Sequence, residues 1–281
     1  MLASLVEAPP GPARQVEGGI RVSGRWAYSS GSHHSTWASM VALVTNDTGE
    51  FVDALWCVAP ISELKIEETW QTVGMRGTGS DTLVAEDVFV PHHRTFSMAQ
   101  MLQGTWPIPT GETMYQLPPA PLAVVPLIGP LLGLGHAALD FVIDQANAKA
   151  MQHTFFTRQS DSVGVQIQVA EAALKLKTAR LHTYAVADEI DAAAAAGERI
   201  DYATRAEYRA EYGYATQQVL EAINILINVH GSAAFAESSP LQQFWRDANT
   251  GGRHAVLNAS VGYEVYGKSL LGIDEQISPS V

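Results

Sequence analysis

The strongest constraint on the fold is a change of hydrophobic period across a proline-rich break. Residues 106–121 carry five prolines, Pro107, Pro109, Pro118, Pro119 and Pro121. Each fixes φ and removes a backbone donor, so neither strand nor helix is expected to run through this segment. Before it, short runs of Val, Ile, Trp and Thr are punctuated by Gly, Asn and Asp, the pattern of strands and turns. Strands are expected at residues 20–28, 36–45, 51–60 and 83–91, with Asn46-Asp47-Thr48-Gly49 as a hairpin turn. After the break the period becomes 3.6: Val165, Val169, Ala172, Leu176 and Ala179 share one stripe, and Val219, Ile223, Leu226 and Ile227 another. Four helices are expected, at residues 122–148, 163–196, 202–230 and 249–270, with Gly197 and Gly231 ending the second and third. The alanine run at 192–196 reads as a solvated helix end. Four long helices with short connections predict an antiparallel bundle. The fold class is therefore α+β, with a β domain at 18–105, a linker at 106–121 and helices at 122–281; residues 1–17 read as a linker or remnant.

A chain of 281 residues with 47% hydrophobic content can bury a real core. Seventeen Lys plus Arg against 29 Asp plus Glu give a net charge of −12, which argues against nucleic acid as a partner. Cys57, the single cysteine, can form no intrachain disulfide and no cysteine-based metal site, which fits a reducing cytoplasm. The start lacks the basic and apolar regions of a signal peptide. The most apolar run, 122–134, is interrupted by Pro126, Gly129 and Pro130, so no membrane span is expected.

Several residues invite chemistry. His33-His34 and His92-His93 are adjacent pairs, and adjacent strand residues point to opposite faces, so neither pair is expected to chelate a metal. The segment Gly74-Met75-Arg76-Gly77-Thr78-Gly79-Ser80 can cradle an anion with backbone N–H groups, yet it matches neither a dinucleotide nor a Walker pattern, and a tight turn is the plain alternative. A hydrolase built from Ser29 or Ser30 with His254 lacks a nucleophile elbow.

The order of motifs is more specific than any one of them. GIRVSGRWAYSSG at 19–31 is followed by WQTVGMRGTGSDTLVAEDVFVP at 70–91, then Arg158-Gln159 opening a helix with Gln166, then HGSAAFAESSPLQQFWRDAN at 230–249. This series resembles the middle β domain and C-terminal helical domain of the acyl-CoA dehydrogenase superfamily, almost end to end. The resemblance implies a middle antiparallel β-barrel followed by a four-helix bundle. Members of that family begin with a helical domain of about a hundred residues. The first β motif here starts at residue 18, so that domain is expected to be absent, or supplied by a separate chain.

Within the family, dehydrogenases often carry Tyr-Glu-Gly-Thr near the end, where this chain reads SVGYEVYGKSLLG with Glu264 in a different motif. Ser29-Ser30-Gly31 after Trp26, the 74–80 segment, and Arg246-Asp247 followed by His254 instead resemble the oxygenase components of two-component flavin-dependent monooxygenases. That resemblance implies reduced FMN or FAD delivered by a separate reductase, O2 as co-substrate, and a C4a-hydroperoxide that hydroxylates a small aromatic or heteroaromatic compound within a homotetramer. It also assigns residues. Ser30 takes the position near flavin N5, and His254 that of a histidine which deprotonates a phenol or assists formation of the hydroperoxide. Ser29, Arg76, Thr78 and Ser80 fall in the cofactor-binding segments, and Arg158 resembles an arginine that reaches a flavin phosphate. Asn228 and Gly231 lie where the family carries Gln-x-x-Gly-Gly, a departure that leaves FMN or FAD open. Trp26, Tyr28 and Trp70 are either walls of the flavin pocket or plain core. The alternatives are a dehydrogenase with bound FAD and a non-catalytic or split fragment.

Overall fold

The computed structural model describes residues 2–46, 48–103, 112–116, 119–278 and 281. Asp47 of the expected turn, and Pro107, Pro109 and Pro118 of the linker, lie outside them. The chain divides into two compact units, Met1–Thr72 with Arg76–Pro107, and Val73–Met75 with Ile108–Val281.

The first unit is a seven-stranded sheet made of β1 (Ala3–Val16), β2 (Gly19–Ser29), β3 (Trp37–Thr45), β4 (Phe51–Pro60), β5 (Lys65–Glu67), β6 (Asp81–Pro91) and β7 (Thr95–Ser97), followed by helix α1 (Met98–Gln103). The order is β5-β6-β2-β1-β3-β4-β7. Side chains that alternate along β2, β3, β4 and β6 bury one apolar set, including Val22, Trp26, Met40, Ala42, Cys57, Leu83 and Val90. The β3–β4 turn is tied by Asn46 Oδ1, which accepts from Thr48 N and Glu50 N at 3.0 and 2.9 Å.

Two expectations change here. Residues 3–16 are a strand rather than a linker. β1 lies between β2 and β3, antiparallel to the first and parallel to the second, so the sheet is not wholly antiparallel. Pro9, Pro10, Gly11 and Pro12 hide this strand from a propensity argument, because proline donates no ladder hydrogen bond. The register with β3 shifts between Val6 and Gly11, where that run sits.

The second unit holds α2 (Pro119–Ala148), α3 (Val163–Ala196), α4 (Tyr202–His230), α5 (Pro240–Gly251) and α6 (Ala259–Leu270). α3 and α4 keep the expected bounds. Gly197 closes α3 with φ 68° and donates to the Ala193 and Ala194 carbonyls, and Asp201 caps α4 by accepting from Thr204 N. The core joins Ile128, Leu131, Leu176, Val219, Ile223 and Leu226. The expected fourth helix at 249–270 starts only at Ala259, where Asn258 caps α6, and the helix before it, α5, ended by Gly251 and Gly252, was not expected. The same loop contains His254, which therefore does not lie on a helix face.

By length and composition α2 is apolar enough to cross a membrane, and 33% of its apolar window is buried. Its inward positions pack against α3, α4 and α5, as those of a core helix do.

Candidate functional site

In the β unit, the residues nominated around Ser30 come together. β2 ends at Ser29, Tyr28 adopts φ 65° and Gly31 φ 76°. The left-handed conformation at Gly31 needs no side chain and turns the chain sharply. The turn is pinned by Gly31 N, which donates to Thr78 O at 2.8 Å. Ser30 Oγ lies 2.8 Å from Ser80 Oγ, which lies 2.7 Å from Thr78 Oγ1. This is a chain of three hydroxyls, each able to donate or accept. Tyr28 is 68% exposed and meets Trp70 edge-on, with ring centroids 6.1 Å apart.

A carboxylate absent from the sequence nominations organises this corner. Asp81 is buried, and its Oδ1 accepts from Thr69 N and Trp70 N at 2.7 and 2.8 Å, while Oδ2 lies 2.7 Å from His33 Nε2. The Trp70 N–H, with His33 and the Thr69 N–H, holds its carboxyl below the usual range. Nothing in one sequence pairs His33 with Asp81, since the contact spans 48 residues.

Three nominated residues stand elsewhere. Trp26 is fully buried and donates Nε1–H to Val41 O at 2.9 Å, so it is core and not a pocket wall. Ser29 is also fully buried, with its hydroxyl unpartnered among the described residues. Arg76 is exposed. The glycine-rich segment is split: Gly74 belongs to the helical unit, where an added Cβ would fall 2.2 Å from Arg246 O, so glycine there serves close approach to α5.

In the helical unit, Arg246 Nη1 donates to Val73 O at 2.7 Å and Asp247 accepts from Met75 N, which fixes α5 ahead of the His254 loop. His254 is exposed at its surface edge but partly packed by neighbours, and its Nδ1 accepts from Val256 N at 3.4 Å, a long contact. Burial of its ring by neighbours, and secondly the Arg209 guanidinium, lowers its pKa from the ordinary value. Arg209 was not nominated. It lies on α4 at 4% exposure and donates Nη2–H to Ala255 O at 3.1 Å, directly after His254. Its signal was a charged residue in phase with Tyr212, Thr216, Val219 and Ile223 on the buried stripe.

At another end of this unit, Gln159 Nε2 donates to Val229 O at 3.1 Å and Lys149 Nζ to His230 O at 2.7 Å, tying the Arg158 turn to the C-terminus of α4 near Asn228 and Gly231. Arg158 is exposed and pairs with Asp161 at 2.7 Å. A cavity of about 440 Å³ between α2 and α3 contains none of the nominated residues.

The chain as a whole resembles proteins already known. Residues 127–259 match the family model "Acyl-CoA dehydrogenase, C-terminal domain". The chain is 34% identical to a flavin-dependent monooxygenase, oxygenase subunit HsaA, of Rhodococcus jostii, over 95% of this chain and 70% of that protein. It is 30% identical to the oxygenase component of an FADH2-dependent resorcinol hydroxylase of Rhizobium, over 95% and 68%. Among solved structures, XiaF from Streptomyces, in complex with FADH2 and glycerol, superposes with a TM-score of 0.92 at 35% identity, covering 99% of this chain and 70% of that one. The chain therefore belongs to the flavin-dependent monooxygenases of the acyl-CoA dehydrogenase superfamily.

Proposed function

We infer that this chain is the oxygenase component of a two-component monooxygenase that takes reduced flavin from a separate reductase and hydroxylates a small aromatic or heteroaromatic substrate. The observation that carries this is the hydroxyl chain Ser30–Ser80–Thr78 beside Tyr28 and Trp70, in a chain related along 95% of its length to an oxygenase subunit. Its hydroxyls and exposed aromatic ring suit the edge of a flavin, which has both ring nitrogens and apolar faces. Reduced flavin supplies two electrons to O2, so that one oxygen atom enters the substrate and the other leaves as water.

The chain's own groups hold and move protons. Ser30 Oγ, kept in place by Ser80, holds a proton at a ring nitrogen. His254 exchanges a proton with a phenol oxygen. Its 3.4 Å contact from Val256 N costs little to release, so Nδ1 can take the hydrogen and leave Nε2 as a base. Its lowered pKa keeps the imidazole neutral at pH 7. Arg158, released from Asp161, offers a bidentate guanidinium to a flavin phosphate.

We further place the protein in the cytoplasm as a homo-oligomer. Burial pushes the Cys57 thiol up to about 12, so it is inert. Val163, Ile167, Leu174 and Leu181 are each more than 60% exposed along one face of α3, a spacing of four and seven residues that suits packing against a second copy. The whole assignment is tested by assaying phenol hydroxylation with reduced flavin supplied externally. Turnover is expected with chemically reduced flavin and none with NADH and oxidised flavin alone. Turnover with NADH and no reductase would overturn it.

A further inference from the structure

His33 lies in the short 3-10 turn Ser32–His34 that follows Ser30, and Asp81 is the residue after Ser80. Successive residues of the first turn bond to the second segment. Ser30 Oγ meets Ser80 Oγ at 2.8 Å, Gly31 N donates to Thr78 O at 2.8 Å, Ser32 Oγ donates to Gly79 O at 3.2 Å, and His33 Nε2 reaches Asp81 Oδ2 at 2.7 Å. Glycine at 79 allows this approach: its φ is 48°, and an added Cβ would fall 3.0 Å from His33 Cδ2.

These ties differ in strength. The first three join neutral groups. The other oxygen of Asp81 accepts from the Trp70 and Thr69 N–H groups, which favours the ionised carboxylate. An ionised carboxylate only accepts, so His33 Nε2 carries the hydrogen and the bond is charge-assisted. Such bonds are about twice as strong as neutral ones. The Asp81 side chain is 8% exposed and its backbone pairs with Ser29 in the sheet, whereas the His33 side chain is 43% exposed and sits on a turn. Asp81 is therefore the fixed partner, and the turn is what it holds.

Ser30 has little hold of its own. Its partner among the described residues, Ser80 Oγ, is also 2.7 Å from Thr78 Oγ1, and Ser80 has one hydrogen to give. Tyr28 at φ 65° is in a conformation that a tyrosine adopts only when its surroundings enforce it. The place of the Ser30 hydroxyl thus depends on how firmly the turn after it is tied.

We propose that His33 is a positioning residue for Ser30: by donating to Asp81 it holds the turn after Ser30 against residues 78–81, and so keeps the Ser30 hydroxyl at the flavin ring nitrogen. This rests on the reading of the chain as a flavin-dependent oxygenase. His33 acts on the reaction through Ser30 alone.

The test is a cycle of four proteins, wild type, Ser30→Ala, His33→Ala and the double variant, with product and peroxide counted per reduced flavin. His33→Ala is expected to lower the product yield roughly fivefold, as Ser30→Ala does, with peroxide rising to match. In the double variant the losses are expected not to multiply, because both pass through one hydroxyl. His33→Gln, with a donor at similar reach, is expected to recover most of the yield. A merely structural role would give losses that multiply. Hydrogen exchange over residues 28–35 reads the tie without turnover, and is expected to be faster in His33→Ala and near the wild-type rate in His33→Gln. Absence of hydroxylated product from the wild type would sink the assigned reaction, and exchange alone would then decide whether His33 holds the turn. An undiminished yield in His33→Ala, multiplying losses, no recovery in His33→Gln, or unchanged exchange would each overturn the proposal.

Discussion

Ser30 Oγ and Ser80 Oγ stand 2.8 Å apart, joining two turns that are 50 residues apart in sequence. Ser80 is buried and Ser30 exposed, so the pair presents one positioned hydroxyl at the surface of the β unit. Thr78 Oγ1, 2.7 Å from Ser80, extends the chain of hydroxyls, each of which can donate or accept.

Replacing Ser30 with Ala removes the exposed end and leaves the Ser80–Thr78 contact in place. Stability is expected to change by about 1 kcal/mol or less. The yield of hydroxylated product per reduced flavin is expected to fall roughly fivefold, with hydrogen peroxide rising to match. Parallel product and peroxide assays read this. An unchanged yield would remove Ser30 from proton placement.

His254→Asn keeps a donor but no base, and is expected to slow phenol hydroxylation by about 10²–10⁴. Burial and Arg209 depress the folded pKa, so the neutral base persists below the ordinary value. The acid limb of kcat/KM is therefore expected below about 6.5 and to move upward in Arg209→Gln. The same sign governs stability: the unfolded histidine protonates first, so His254 costs stability as pH falls from about 6.5 to the folded pKa.

Asp81 is a depressed carboxylate, so its contribution to stability is present above the unfolded pKa of about 3.9 and is lost as pH falls through the lower folded value. Asp81→Ala takes an acceptor from the Thr69 and Trp70 N–H groups and a partner from His33, and is expected to cost about 1–3 kcal/mol. Urea unfolding at pH 7 measures that loss. The gap between variant and wild type is expected to narrow toward pH 3.

Much of this fold is legible in the chain because the period of apolar residues depends on backbone geometry. α3 and α4 follow from their stripes and from glycines at their ends, and β4 from its run of β-formers. What fails is where proline or short length masks pairing: β1 carries Pro9, Pro10 and Pro12, while β5 and β7 have three residues each. α5 was hidden because residues 230–249 mark a family motif rather than a clean stripe, although Ser239-Pro240 is a sound helix start. The order of motifs singles out Ser30, Thr78 and Ser80, and the structure joins their hydroxyls in one chain. For Trp26 the sequence left wall and core open, because an aromatic residue beside a turn looks the same whether it faces a ligand or the core, and the structure buries it. Asp81 and Arg209 act through long-range contacts that no local pattern contains.

The apolar face of α3 predicts assembly. Leu174 and Leu181 are 64% and 61% exposed, and burying such side chains against a second copy stabilises by about 1.5–3 kcal/mol each. Light scattering is expected to give a multiple of the chain mass, and the Leu174→Glu, Leu181→Glu double variant a smaller species. A wild-type mass equal to one chain would contradict it.

The central claim is tested most directly by isotope tracing. The protein is given reduced flavin, a simple phenol and ¹⁸O2 in ordinary water, and the product is weighed by mass spectrometry. One ¹⁸O atom in each hydroxylated product is the predicted result. Oxygen drawn from water, or flavin oxidation that yields peroxide and no hydroxylated product across a panel of phenols and heteroaromatics, would contradict it.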